Sequence, residues 1–118
     1  VQVPGPIEDA RKAMESILIA NPQPGSIQAV WAGWDEPAIG ATQAIIAAGR
    51  QNEIVVAGVD GTSQAIELIE KGTPLIATVS QDFEGMMVIL VEQLERIFSG
   101  KSPISIEVYT PSKLIYKE

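Results

Sequence analysis

The sequence predicts an α/β domain with an open parallel sheet and helices on both of its faces. Three observations point there. Short apolar runs rich in β-branched residues alternate in order with segments of helical period. The run IVVAGV at 54–59 has no polar alternation, which suits a strand covered on both faces. An aspartate follows each of three successive runs, at Asp35, Asp60 and Asp82, marking a recurrent βα junction whose units otherwise share no side-chain consensus.

The elements follow in order. Val1, Gln2 and Val3 alternate apolar and polar and then meet Pro4 and Pro6, which predicts the end of a strand entering a loop. Ile7, Ala10, Met14, Ile17 and Leu18 form the stripe of an amphipathic helix, with Glu8 and Asp9 in the first turn, where the helix dipole favours acids. Pro22, Pro24 and Gly25 end it. Ile27 to Ala32 reads as a strand and Glu36 to Ala48 as a helix closed by Gly49. Ile54 to Val59 is the next strand. Thr62 or Ser63 caps a helix that runs to Lys71 ahead of Gly72. Leu75 to Val79 is a strand, and Asp82 to Ser99 a long helix with Met86, Ile89, Leu90, Leu94 and Ile97 on one face and Gly100 after it. The tail holds a last extended segment, Lys113 to Tyr116. Right-handed crossovers turn this alternation into a parallel sheet.

At 118 residues the chain has the length of one domain with one core. The 46% hydrophobic and 19% charged shares are ordinary for a globular chain. No run approaches the roughly 18 apolar residues of a membrane span. Eight basic against fifteen acidic residues give a net charge of −7, which repels a phosphate backbone and an anionic membrane surface, so nucleic acid is not an expected partner. With no Cys and no His, disulfides, thiol nucleophiles, imidazole acid–base chemistry and the usual zinc sites are excluded within this chain. No basic n-region or apolar h-region opens the chain at Val1, so no targeting signal is there to read.

Ligands of open parallel sheets bind outside the carboxyl ends of the strands. The residues at those ends are Gly33, Trp34 and Asp35; Asp60, Gly61 and Thr62; and Ser80, Gln81 and Asp82. Asp35 and Asp82 stand where helix N-caps stand, a role worth about 1 kcal/mol without any ligand, and Asp35 is also a candidate contact. Asp60 is followed by Gly61, and Thr62 or Ser63 can cap the helix, which leaves its carboxylate for a ligand. Gln81 offers both donors and an acceptor. Trp34, at a strand exit, suits stacking on the C–H face of a sugar or on another apolar ligand face. Trp31, inside its strand, is expected in the core. Asp60 with Asp35 is the carboxylate pair a glycosidase would need, and three strand-exit acids are also a feature of receiver domains, but the lysine such a pocket requires is absent. No GxGxxG or GxxxxGK[ST] loop cradles a phosphate. The reading is a binding domain and not an enzyme, with no cofactor and no metal.

The order and spacing of AVWAGWDEPAIGATQAIIAAGR (29–50), IVVAGVDGT (54–62), ATVSQD (77–82), the helix through IFSGK and the closing SKLIYKE carry a family likeness. Over essentially all of residues 3 to 118 the chain resembles the C-terminal lobe of a type I periplasmic sugar-binding protein, of the ribose- and galactose-binding group that feeds ABC transporters. The resemblance implies one lobe of a two-lobed protein that closes on a sugar, with hydroxyls bonded by Asp60 and Gln81. Charged acceptors make such bonds roughly twice as strong as neutral ones. Trp34 replaces the asparagine usual before the aspartate of the first motif, which implies a ligand with a larger apolar face. A membrane permease and a periplasmic or extracellular location, with membrane anchoring left open, follow from the same likeness. So does the assignment of helix 82–99 to the opposite lobe, which in the isolated chain leaves an apolar cluster expected to drive a dimer or a domain exchange. The effector domain of a LacI-type repressor is the alternative.

Overall fold

The computed structural model of the chain describes residues 5–117. The order is α1 (Pro6–Ala20), β1 (Ala29–Trp31), α2 (Asp35–Ala47), β2 (Val55–Asp60), α3 (Ser63–Glu70), β3 (Leu75–Gln81), α4 (Phe83–Phe98) and β4 (Ser112–Tyr116). The strands lie in the sheet order β1-β2-β3-β4. β1 and β2 are parallel, with Ala29 opposite Val55 and Trp31 opposite Ala57, and β3 continues the parallel set with Ser80 opposite Asp60. The open, mostly parallel α/β sheet and the element order agree with expectation; the strand end expected at Val1 to Val3 lies outside the described residues. The chain divides into two compact units, the first running to Ser80 and resuming at Leu114, the second Gln81–Lys113.

The core of the first unit joins α1, α2 and α3 to β2 and β3 through Met14, Leu18, Ala38, Ile39, Ile45, Ile54, Val56, Ala65, Ile69 and Leu75. Ile39, Ile45, Ile54 and Leu75 are buried almost completely, each worth about 2 kcal/mol relative to an exposed side chain. Helix α2 is built of small residues for close approach. A Cβ on Gly40 would stand 2.1 Å from the Ile7 carbonyl oxygen and 3.0 Å from the Arg11 amide, so any side chain there forces α1 and α2 apart. Thr42 is fully buried and donates its hydroxyl to the Ala38 carbonyl of its own helix at 2.8 Å. Thr62 caps α3 as expected, accepting the Ala65 amide at 3.3 Å.

Three expectations about burial are corrected. Trp31 is 74% exposed, not core. It closes a three-residue strand at the end of the sheet order, and the alternation of side chains turns Ala29 and Trp31 to the open side while Val30 packs on the core. Ile17 falls at the margin of the α1 stripe and is half exposed, leaving Ala10, Met14 and Leu18 as the buried face. The unbroken apolar run of β2 is covered unevenly, with Val56 fully buried and Val55 40% exposed.

The second unit is α4 and the segment after it. Asp82 caps the helix as expected, accepting the Gly85 amide at 2.9 Å. The return segment is tied back by the Ile104 amide on Gln93 Oε1 (2.9 Å) and by Arg96 Nε on the Ser102 carbonyl (3.0 Å). No residue of α4 is buried, and its apolar side chains, Phe98 most of all, lie open.

The loop between α1 and β1 is fastened by a polar clamp. Arg50 donates to the carbonyls of Asn21 (2.9 Å) and Gln23 (3.3 Å) and pairs with Glu53, whose other oxygen accepts the Gly25 amide at 2.8 Å. The Arg50 hydrogen bond, and then the Gly25 amide, hold the Glu53 carboxyl below its usual range. A lowered folded-state pKa contributes stability that is fully present above the ordinary glutamate value and is lost as pH falls through the lowered one. Glu53→Gln is therefore expected to flatten the acid side of the stability–pH curve in that window and to leave its neutral-to-alkaline shape unchanged. Denaturant titrations across pH measure this, and an acid limb identical to the parent's would contradict it.

Candidate functional site

Parallel strands exit at one edge, so the first unit places the ends of β1 and β2 and the Ser80 end of β3 together. The residues that follow β1 and β2 sit on the tight connections to α2 and α3. Trp34 is the N-cap residue of α2, in extended backbone (φ −154°, ψ 174°) and without a side-chain capping bond. Its indole is half-buried and lines a hollow of about 370 Å³ with Ala10, Met14, Ile17, Trp31 and Pro37. The hollow is apolar and flanked by two indoles, a surface suited to the C–H face of a ring.

Asp35 is corrected. It is the first residue of α2 rather than its cap, and none of its surface is exposed. One oxygen accepts the Thr62 amide at 2.7 Å and the Thr62 hydroxyl at 3.0 Å, and the other accepts the Thr78 hydroxyl at 2.6 Å. With both oxygens engaged and no open surface, this carboxylate presents nothing to a solute. Room for it comes from Gly58, whose missing Cβ would lie 2.5 Å from the Asp35 oxygen. Both threonines join as functional neighbours. Thr62 was legible as a cap; Thr78 reads in sequence as an ordinary strand former, and the only hint is that a hydroxyl in a buried strand requires a partner.

Asp60 ends β2, is half-buried, and is the described non-glycine residue with positive φ, at 124°. Gly61 follows at φ 73° and presses on β3, so closely that a Cβ would meet Ser80 Cβ at 2.6 Å. An aspartate held in such backbone is costly by of order 1–3 kcal/mol, and residues of this kind concentrate at ligand sites. Gln81 is the last residue of β3 and the first of the second unit. Among the described residues no cluster of carboxylates suited to a metal ion occurs, and no helix is long and apolar enough to cross a membrane.

The strain at Asp60 is measurable. Asp60→Ala and Asp60→Gly delete the same carboxylate, but only glycine tolerates the backbone angle, so the glycine variant is expected to be more stable than the alanine variant by about 1 kcal/mol. Urea denaturation of the pair decides it, and an alanine variant of equal or greater stability would remove the strain from the account.

Residues 4–102 match the family described as the periplasmic binding protein domain. Among curated proteins the chain is similar to the ribose import binding protein of Bacillus subtilis, 38% identical over 101 residues that make up 86% of this chain and 31% of that protein. Among solved structures it is similar to an ABC transporter solute binding protein from Agrobacterium vitis with bound allitol, at a TM-score of 0.90 and 36% identity, covering 99% of this chain and 40% of that one. It is also similar to an ABC sugar transporter subunit from Rhodobacter sphaeroides, at a TM-score of 0.87 and 32% identity over 98% of this chain and 41% of that one. The chain thus spans about a third of the length of the curated relative.

Proposed function

The chain belongs to the periplasmic binding protein domain family, and we propose that it is the C-terminal lobe of a solute-binding protein that hands a sugar or polyol to an ABC permease. The observation that carries this reading is Asp60: a half-buried carboxylate held in positive-φ backbone at the carboxyl edge of a parallel sheet. A carboxylate there accepts hydroxyl hydrogen bonds that are shorter and stronger than those to a neutral oxygen. The apolar hollow that Trp34 lines is a separate surface, its lining drawn from α1, β1 and α2 and not from Asp60 or Gln81. Gln81 is assigned a hydroxyl contact by the family likeness. Asp35 supports the edge from inside and does not touch the solute.

The relatives support this choice over the alternatives. The Bacillus subtilis relative is a ribose import protein and the Agrobacterium vitis relative holds allitol, which favours transport over the LacI-type effector domain and binding over catalysis. A periplasmic location follows from the family, and membrane anchoring is a further proposal. One lobe covers one side of a solute, so the isolated chain binds weakly. The exposed apolar side chains of α4, among them Met87, Val88, Leu94 and Phe98, are proposed to associate copies of the isolated chain.

The test is a titration of the isotope-labelled chain with ribose, allitol and a panel of hexoses and polyols, followed by amide NMR. Millimolar sugar is expected to shift the Asp60–Thr62 amides and the Trp34 indole N–H. Asp60→Asn, which keeps the shape and removes the charge, should weaken binding by about tenfold. No shift at those positions with any solute of the panel would contradict the reading.

A further inference from the structure

We infer that Asp35 is a positioning residue: through Thr78 and Thr62 it sets the backbone at Asp60 and so aims the carboxylate that binds the sugar. The inference rests on the sugar-binding reading of Asp60. Asp35 and Thr78 are fully buried and Thr62 is half-buried beside them.

The two amides that follow Asp60 are both held, and both by the same carboxylate. The Thr62 amide donates directly to one oxygen of Asp35 at 2.7 Å. The Gly61 amide donates to the Thr78 hydroxyl at 3.2 Å, and that hydroxyl donates to the other oxygen of Asp35 at 2.6 Å. The direction of this relay is fixed by valence. A carboxylate only accepts, so the single proton of Thr78 points at Asp35 and its lone pair is left facing the Gly61 amide. That amide belongs to the peptide joining Asp60 to Gly61. Its bond to Thr78 fixes the rotation of this peptide, which is ψ of Asp60 and φ of Gly61, while β2 holds the chain before Asp60. Rotation would turn the Gly61 N–H away from Thr78 and release the turn that follows Asp60. The brace opposes it. Asp35 and Thr78 have no exposed surface, so water does not compete for these bonds. Gly58 and Gly61, each with a forbidden Cβ position facing Asp35 or Ser80, let the turn seat this closely.

The isosteric substitution Thr78→Val removes the relay. Thr42→Val is the control, because it deletes another fully buried hydroxyl that touches only its own helix. In the sugar-free chain, Thr78→Val is expected to speed hydrogen exchange at the Gly61 amide by about tenfold beyond any change at the core amide of Val56, which bonds Pro74. Thr42→Val should alter both amides alike. Ribose affinity, compared under conditions where every variant is folded, should fall about tenfold with Thr78→Val and recover with Thr78→Ser, which restores the hydroxyl. Where Thr78→Val does not fold, Asp35→Asn serves in its place. Its amide has one acceptor where two are needed, so it leaves either the Thr62 amide or the Thr78 proton without a partner. Equal exchange at Gly61 and Val56, or ribose affinity lowered no more than in the Thr42 control, would overturn the inference. A wild-type chain that ignores ribose would instead overturn the sugar reading, and Gly61 exchange would still decide whether the brace exists.

Discussion

A carboxylate taken out of water is unfavourable by several kcal/mol unless donors replace its hydration, and Asp35 is supplied with three. Its place in the chain decides what those donors tie together. It starts α2, its partner Thr62 caps α3, and its partner Thr78 lies in β3. One side chain therefore connects three consecutive βα units at the edge where a parallel sheet binds its ligands. Gly58 in β2 makes the space, so the fourth participant acts by having no side chain.

Around this point the first unit is packed by small residues. Gly40 lets α2 lie against the backbone of α1, and on another side of the same helix Ala38 packs against Gly58 of β2. At the other end of the strands the pair Arg50 and Glu53 fastens the loop that leads into β1. The carboxyl edge is thus held from within by a dry network, while a half-exposed clamp secures the loop behind it. The second unit is of a different character. Its helix is capped and carries a tied-back segment, and most of its apolar residues remain open.

Much of the fold was legible because its signals are local. The βα alternation, the glycines closing α2 and α3, and the caps at Thr62 and Asp82 all depend on residues close in sequence, and each stands within a residue or two of its expected place. What escaped depends on partners distant in the chain. Asp35 had the position of a cap or a ligand contact, and only the arrival of Thr78, 43 residues on, makes it internal. Trp31 carried the hydrophobicity of a core residue, but burial depends on what lies across the strand, and β1 stands at an edge of the sheet order. Asp60 drew notice for the glycine after it; its own positive φ could not be read from residue type, since aspartate adopts that region only where surroundings compel it.

The proposed organisation of the sheet edge requires the buried carboxylate and its threonines to act as one unit. A double-mutant cycle of Asp35→Asn and Thr78→Val, followed by denaturant unfolding, measures that coupling directly. Groups that share a dry hydrogen bond should couple by about 1 kcal/mol or more, the double variant being destabilised by clearly less than the sum of the single ones. Strict additivity would mean that the two side chains stabilise the domain independently, and the sheet edge would lose the element proposed to organise it.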